Sequence, residues 1–213
     1  MSRTTVPEPE PAPGTAPIAR TTRDQIVAAA DRLFYRQGYE HTSFSDIAAA
    51  VQISRGNFYY HFKSKDEILG AVIDARLADT RKTLERWERD GETPEERIGC
   101  FIHILVANRT LIERYGCPVG TLSTELAKLN HLSKAEAGKL FALFRNWLCR
   151  QFVLLGCKRD ADDLTMHLLA RSQGVATLAT AFGDDGFIQR EVQLMYDWLR
   201  TLAQDAGAPA PRA

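Results

Sequence analysis

Residues 44–65 read FSDIAAAVQISRGNFYYHFKSK, and this segment decides the fold. Its first half places apolar side chains at positions 44, 47, 48 and 51, which is the spacing of an amphipathic helix. Residues 52–54 interrupt the pattern, and it resumes with Phe58, Tyr59 and Phe62, which we expect to face inward. The segment therefore predicts two short helices joined by a tight turn, a helix-turn-helix.

The predicted second helix carries hydrogen-bond donors on its outer face. These are Arg55, Asn57, Tyr60 and His61, followed by Lys63 and Lys65, and no acidic residue occurs from Ser54 to Lys65. Gly56 costs this helix about 1 kcal/mol relative to alanine, a cost that close approach of another backbone would justify. Such a face suits phosphates and base edges and predicts DNA binding. The alternative is a plain helical hairpin whose basic face is solvated.

Positive charge exceeds negative charge in the part of the chain that holds the predicted helix-turn-helix. The 213-residue chain has no net charge and is 45% hydrophobic, enough to bury a full core. Residues 18–65 hold seven Lys or Arg against four Asp or Glu, a net charge of +3, so the remainder carries −3. A general polyanion binder is disfavoured, whereas a local basic surface is not.

Cysteine and histidine positions indicate neither a metal site nor a cofactor. The four cysteines, at 100, 117, 149 and 157, follow no zinc-finger spacing, and the five histidines form no H-E-x-x-H motif. No apolar run approaches the length of a membrane span, and no signal-peptide segment is recognisable. We expect a cytoplasmic chain with reduced thiols.

Helical periodicity continues through the rest of the chain. Capping signals at Ser64 and Thr93 open long helices over residues 64–90 and 94–114, and four further helices follow, ending near residue 204. The fold class is therefore all-α, with an N-terminal three-helix head and a C-terminal bundle of about six helices. Proline-rich residues 1–19 and residues 206–213 are expected to be disordered tails.

Three stretches carry a resemblance to a known family. They are the A-x-x-L-F-x-x-x-G-Y pattern at residues 30–39, then T-S-F-S-D-I-A, then S-R-G-N-F-Y-Y-H-F-K-S-K-D-E-I. Together they resemble the TetR family of one-component transcriptional regulators. The resemblance implies a helix-turn-helix domain over residues 20–65, with phosphate contacts from Thr42, Tyr59, His61 and Lys65. Base-edge contacts are expected from Arg55, Asn57 and Tyr60.

The same resemblance implies that residues 66–205 bind a ligand and form a dimer. A small-molecule pocket is expected in the middle of this bundle, with His103, Asn108, Cys117, Phe144 and Trp147 as candidate lining residues. Each aromatic side chain could equally belong to the core. Because Lys65 lies in the first turn of the helix that follows the head, a swing of that helix would move a phosphate contact.

The last two predicted helices, residues 160–182 and 187–204, are too apolar to leave one face in water. We expect them to pack against a second copy as a four-helix interface. The residues expected there are Leu164, Leu168, Arg171, Val175, Leu178, Phe182, Val192, Met195 and Leu199.

The sequence thus predicts a homodimeric, ligand-responsive repressor that binds a palindromic DNA operator. In one alternative, DNA binding is controlled by modification of the Cys117 thiol, since a helix N-terminus stabilises a thiolate. The opposing interpretation is that Cys117 is inert and half-buried. A second alternative is an all-helical enzyme using His103 or Cys117. No Ser/His/Asp ordering, phosphate loop or carboxylate pair supports an enzyme.

Overall fold

The computed structural model describes residues 21–184 and 186–207, and these form helices joined by short turns. The predicted tail over residues 1–19, and most of the one over 206–213, lie outside the described residues. Ten helices are present in the described part: α1 Thr22–Gln37, α2 Phe44–Val51, α3 Arg55–His61, α4 Lys65–Asp90, α5 Pro94–Ala107, α6 Arg109–Tyr115, α7 Pro118–Lys128, α8 Lys134–Leu155, α9 Ala161–Phe182 and α10 Phe187–Gly207.

Local capping sets the start of most early helices, as predicted. Thr21 and Asp24 form a capping box at α1, Ser43 and Asp46 form another at α2, and the Ser64 side chain accepts the N–H of Glu67 at α4. Each box satisfies two of the backbone donors that a helix N-terminus leaves free. The three-helix head predicted from the sequence is confirmed.

Two groups of buried side chains hold the helices together. The first joins α1, α2 and α3 to the first half of α4 and to α7 and α8, through residues such as Phe58, Ile68 and Leu126. The second joins the end of α4 to α5, α6, α8, α9 and α10, through residues such as Ile102 and Phe152. The head is therefore packed directly against α7 and α8 as well as α4.

The helix predicted over residues 94–114 is in fact two helices. Asn108 has φ −107° and ψ 14°, and its side-chain Nδ2 donates to the carbonyl oxygen of Ile104 at 3.0 Å. A side-chain amide that bonds a nearby carbonyl competes with the regular backbone ladder, so α5 ends at Ala107 and α6 starts at Arg109. Seven helices follow the head in the described residues, one more than predicted.

None of the helices in the described segments is long and apolar enough to cross a membrane.

Candidate functional site

A tight turn presents α3 on the surface. Gln52, after the end of α2, adopts a left-handed conformation with φ 59°, and its N–H donates to the carbonyls of Ala48 and Ala49. The chain then reverses, and the Ser54 hydroxyl accepts the N–H of Asn57 at 3.3 Å to start α3. Phe58 and Phe62 are buried beneath the helix, which leaves its opposite face to solvent.

The exposed face of α3 holds three of the predicted DNA-contacting side chains. Asn57 is exposed, and Tyr60 is 78% exposed with its ring edge against His61. Tyr59 is 48% exposed and stacks on Phe44 with ring centroids 5.6 Å apart, so the expectation that it faces inward was wrong. The stacking on Phe44 holds the phenol ring at the edge of α3, where it is half exposed to solvent.

Gly56 lies in open space. A β-carbon built there would meet no atom of another described element within 4 Å, so no packing contact in the described part of the chain requires glycine at this position. The reason suggested by the sequence, close approach of a backbone from another molecule, therefore remains the hypothesis for Gly56. The backbone of Arg55 begins α3 beside it.

The phosphate contact expected from Thr42 is wrong. Thr42 is 1% exposed, its hydroxyl donates to the carbonyl of Gly38 at 2.6 Å, and it accepts Nε2 of Gln37 at 3.3 Å. This side chain closes the turn between α1 and α2 instead of facing solvent.

The two lysines after α3 both have partners within the chain. Lys63 Nζ donates to the carbonyl of Tyr59 at 2.5 Å. Lys65 Nζ donates to the carbonyls of Tyr39 and Glu40 at 3.0 and 3.3 Å and lies 4.2 Å from the centre of the Tyr39 ring. An ammonium has three N–H donors, so Lys65 retains one for an outside acceptor while it ties α4 to the α1–α2 turn.

Glu125 of α7 holds the same turn from the other side, and the sequence analysis did not find it. Its carboxylate accepts the N–H groups of Tyr39 and Glu40, each at 2.9 Å. Gly38 has φ 90°, and a β-carbon there would come within 2.8 Å of the Glu125 carboxylate. The turn of the head is thus clamped between Lys65 and Glu125.

Two further contacts attach the head to the start of α7. The Tyr35 hydroxyl donates to the carbonyls of Gly116 at 2.7 Å and Leu111 at 3.1 Å, and burial raises the pKa of Tyr35 to about 12. Arg76 of α4 pairs with Asp31 of α1 at 2.6 Å and donates to the Pro118 carbonyl at 2.7 Å. Both ends of α7 are therefore bonded to the head or to α4.

A cavity of about 80 Å³ lies beside the start of α7. It is lined by Phe101, Ile104, Leu105, Asn108, Ile112, Cys117, Pro118, Val119, Phe141, Phe144, Leu169, Ser172 and Gln173. The structure thus brings together three of the five predicted pocket residues, Asn108, Cys117 and Phe144. Asn108, at the break between α5 and α6, is one of these lining residues.

The other two predicted pocket residues lie elsewhere. His103 is exposed and lines a separate surface groove with Cys100 and Tyr196, because it projects from the outer face of α5. Trp147 is buried in the core with its ring 5.6 Å from that of Trp87. Its Nε1 donates to Glu88 at 2.8 Å, so its polar atom already has a partner.

Cys117 lies between this cavity and the outside. It also lines an open surface groove of about 850 Å³ together with Gly120, Glu125, Lys128 and other residues. Its Sγ accepts the Gly120 N–H at 3.5 Å and Gln173 Nε2 at 3.4 Å. Burial raises the pKa of two other thiols, those of Cys100 and Cys157.

Most of the predicted dimer residues face the chain's own core. Leu168, Val175, Val192, Met195 and Leu199 are buried there, because α9 and α10 already pack against α5, α6 and α8. Leu164 is partly buried against the same core, and Arg171 is paired with Glu191 at 3.0 Å. These five buried residues are not available to a partner.

The exposed apolar residues of α9 and α10 form a different set. Phe182 is 74% exposed, Leu194 51% and Leu178 42%. Exposed Gly174 precedes Leu178 by one helical turn, and no side chain or backbone of another element lies within 4 Å of its β-position. Of the predicted interface residues, Leu178 and Phe182 keep a free face.

Among the described residues, no group of three His, Cys, Asp or Glu side chains could hold a metal ion.

Comparison with known proteins agrees with this geometry. Residues 26–72, which include α2, α3 and the turn between them, match the family model described as bacterial regulatory proteins, tetR family. A TetR transcriptional regulator of known structure from Legionella pneumophila superposes with a TM-score of 0.74 at 26% identity, over 85% of this chain and 98% of that one. Residues 26–72 therefore match the TetR family in sequence, and the chain shares the fold of a TetR transcriptional regulator.

Curated TetR-like relatives match over shorter stretches. The HTH-type transcriptional repressor DhaR of Mycobacterium sp. (strain GP1) is 28% identical over 133 residues, which is 62% of this chain and 64% of DhaR. An uncharacterised HTH-type regulator from Lactococcus lactis is 33% identical over 126 residues, 58% of this chain and 64% of its own length. The chain spans less than two thirds of the length of these relatives.

Proposed function

We propose that this protein is a transcriptional repressor of the TetR family, whose α3 enters the major groove of a double-stranded DNA operator. The observation that carries the proposal is the division of α3 into two faces. Phe58 and Phe62 anchor one face in the core, while Asn57 and Tyr60 stand free on the other. Amide and hydroxyl groups on such a face can bond base edges, and no carboxylate between residues 54 and 65 repels the phosphates.

Two experiments test the proposal. Duplexes that bind the protein are first selected from a random pool, and binding is then measured by anisotropy titration at several salt concentrations. Asn57→Ala should lose roughly 1–3 kcal/mol at particular base positions and leave the salt slope unchanged. Lys63→Ala should weaken all sequences similarly and reduce the slope by about one. A matched control is Lys82→Ala on α4, where an exposed lysine pairs with Asp79. Identical binding by the wild type and Asn57→Ala on every duplex would contradict this placement of α3.

We further infer that two copies pair through α9 and α10, so that two heads read the halves of a palindrome. The support is that α9 and α10 expose Leu178, Phe182 and Leu194, and that the β-position of Gly174 on α9 is open. Exposed large apolar side chains grouped near the chain's last two helices are typical of an interface between subunits.

Ligand control is the finer part of the proposal, and α7 supplies its physical basis. The first turn of α7 lines the cavity at Pro118 and Val119, and its second half holds the head through Glu125. A ligand that prefers one position of α7 would therefore favour one position of the head. Such differential affinity shifts the DNA-binding equilibrium without blocking α3.

A thiol trigger at Cys117 is a second candidate, favoured by its position. Two N–H donors face its sulfur, which lies at the wall shared by the cavity and the open groove. Modification there would displace Gln173 and the start of α7. The enzyme alternative has no comparable support, since His103 and Cys117 line separate sites and the named relatives are regulators.

A further inference from the structure

The cavity beside α7 contains no charge. All of its lining side chains are neutral, and most are aliphatic or aromatic. An ion placed in such a space would lose its hydration without gaining an opposite charge, which is unfavourable by several kcal/mol. The cavity therefore selects against both anions and cations.

Its two amide side chains have oxygens that are unbonded within the described residues, and the amide nitrogen of Gln173 already makes two hydrogen bonds while that of Asn108 makes one. Asn108 Nδ2 donates to the Ile104 carbonyl at 3.0 Å, and Gln173 Nε2 donates to Cys117 Sγ and Ser172 Oγ at 3.4 and 3.5 Å. The Ser172 hydroxyl donates to a backbone carbonyl at 2.7 Å. No hydrogen bond from the described residues reaches the amide oxygen of Asn108 or Gln173. A molecule that brings a hydroxyl or N–H donor would satisfy one of them.

The route from solvent passes the same residues. Cys117, Phe141 and Gln173 line both the cavity and the open groove of about 850 Å³, whereas the charged Glu125 and Lys128 line the groove alone. A β-carbon at Gly120 would collide with the Gln173 amide oxygen, so this glycine permits Gln173 to stand at the mouth.

We propose that the cavity binds a small uncharged molecule with an apolar body and one hydrogen-bond donor, of the size of a short-chain alcohol. The proposal rests on the ligand control proposed above and names the chemical class of that ligand. The apolar body lies among Ile104, Phe144 and Leu169, and the donor bonds the amide oxygen of Asn108 or Gln173.

Four probes of similar size test the class: 1-butanol, 2-butanone, butyrate and butylammonium, each titrated into the full-length protein. The readout is the NMR shift of the side-chain amide groups of Asn108 and Gln173. We expect 1-butanol to bind about tenfold more tightly than the ketone, which lacks a donor. We expect the two ions to leave these signals unmoved. Comparable binding of butyrate or butylammonium, or no binding of 1-butanol, would overturn the proposal.

Three variants test whether 1-butanol binds in this cavity. Ile104→Phe should fill the space and abolish 1-butanol binding, while Val153→Phe, on an exposed position of α8, should bind as the wild type does. Gln173→Met keeps the side-chain length but removes the amide, and should lessen the preference for alcohol over ketone. If folded Ile104→Phe and Gln173→Met both bind the probes as the wild type does, the site is wrong. DNA binding is measured separately, so failure of the repressor proposal would appear there and not in these titrations.

Discussion

Truncation of Glu125 tests the clamp between α7 and the head. Glu125→Ala removes an acceptor of two backbone N–H groups, those of Tyr39 and Glu40, each 2.9 Å away. A hydrogen bond to a charged group contributes about 1.5–3 kcal/mol. Two such bonds would sum to about 3–6 kcal/mol. Because Glu125 is only partly buried and water can reach the freed Glu40 N–H, we expect a smaller loss, about 2–3 kcal/mol for the pair.

Urea denaturation at fixed protein concentration measures this loss, since stability in a dimer depends on concentration. For a chain of this length the melting temperature should fall by roughly 4–12 °C. Glu125→Gln, which keeps one acceptor oxygen, should lose about half as much, and Glu85→Ala, at an exposed position of α4, should change stability by less than about 0.5 kcal/mol.

A local readout separates the clamp from general destabilisation. In Glu125→Ala the amide hydrogens of Tyr39 and Glu40 should exchange faster than others of similar depth, and operator binding should weaken because the head loses a fixed attachment to α7. The reasoning is refuted if Glu125→Ala unfolds at the wild-type urea concentration, or if these two amides keep their wild-type exchange rates.

Three other predictions concern the exposed apolar residues of α9, the partly buried carboxylate of Glu88 and the thiols. Leu178→Asp should both release monomers, measured by analytical ultracentrifugation, and abolish operator binding, measured by anisotropy. Leu154→Asp, on the exposed side of α8, should do neither. A wild-type chain that sediments as a monomer at micromolar concentration would contradict the proposed interface. Burial opposes ionisation of Glu88, but hydrogen bonds from Arg150 and Trp147 hold the pKa of this carboxyl below its ordinary value. The ionised carboxylate therefore stabilises the fold above the unfolded pKa, and this stabilisation is lost as the pH falls below about 4. The stability of Glu88→Gln should decline less steeply in acid than that of the wild type, and an acid profile identical to the wild type's would contradict this prediction. Limiting iodoacetamide followed by mass spectrometry should label Cys117 before Cys157 and release DNA, and a Cys117→Ser variant that still responds to the same reagent would eliminate the thiol trigger.

The head was predictable because its determinants are close together in the chain. The turn between α2 and α3 and the caps at Ser43, Ser54 and Ser64 all depend on residues three or four positions apart. The inward face of α3 follows from the spacing of Phe58 and Phe62. The expectation for Tyr59 failed because a ring at the edge of that face stacks on Phe44 and remains half exposed.

The candidate cavity was only partly predictable. Apolar patterning placed Asn108, Cys117 and Phe144 among buried neighbours. The same pattern does not distinguish a side chain that lines a cavity from one that packs in the core or one that is exposed to solvent. His103 projects from α5 to the surface, and Trp147 packs on Trp87. The break at Asn108 depends on a bond from its own side chain to Ile104, which competes with a helical pattern that otherwise continues.

The amino-acid sequence by itself determined most of the helices of this protein, their caps and the two faces of α3, since these depend on periodicity and on hydrogen bonds between near neighbours. Tertiary structure alone decided which apolar stripe of α9 and α10 is buried, because both stripes satisfy the helical pattern and only packing against α5, α6 and α8 selects between them. It also decided the attachment of the head, since Glu125 meets Tyr39 across 86 positions of the chain and Tyr35 meets Gly116 across 81. Contacts at that separation arise when distant helices pack, and no local pattern records them.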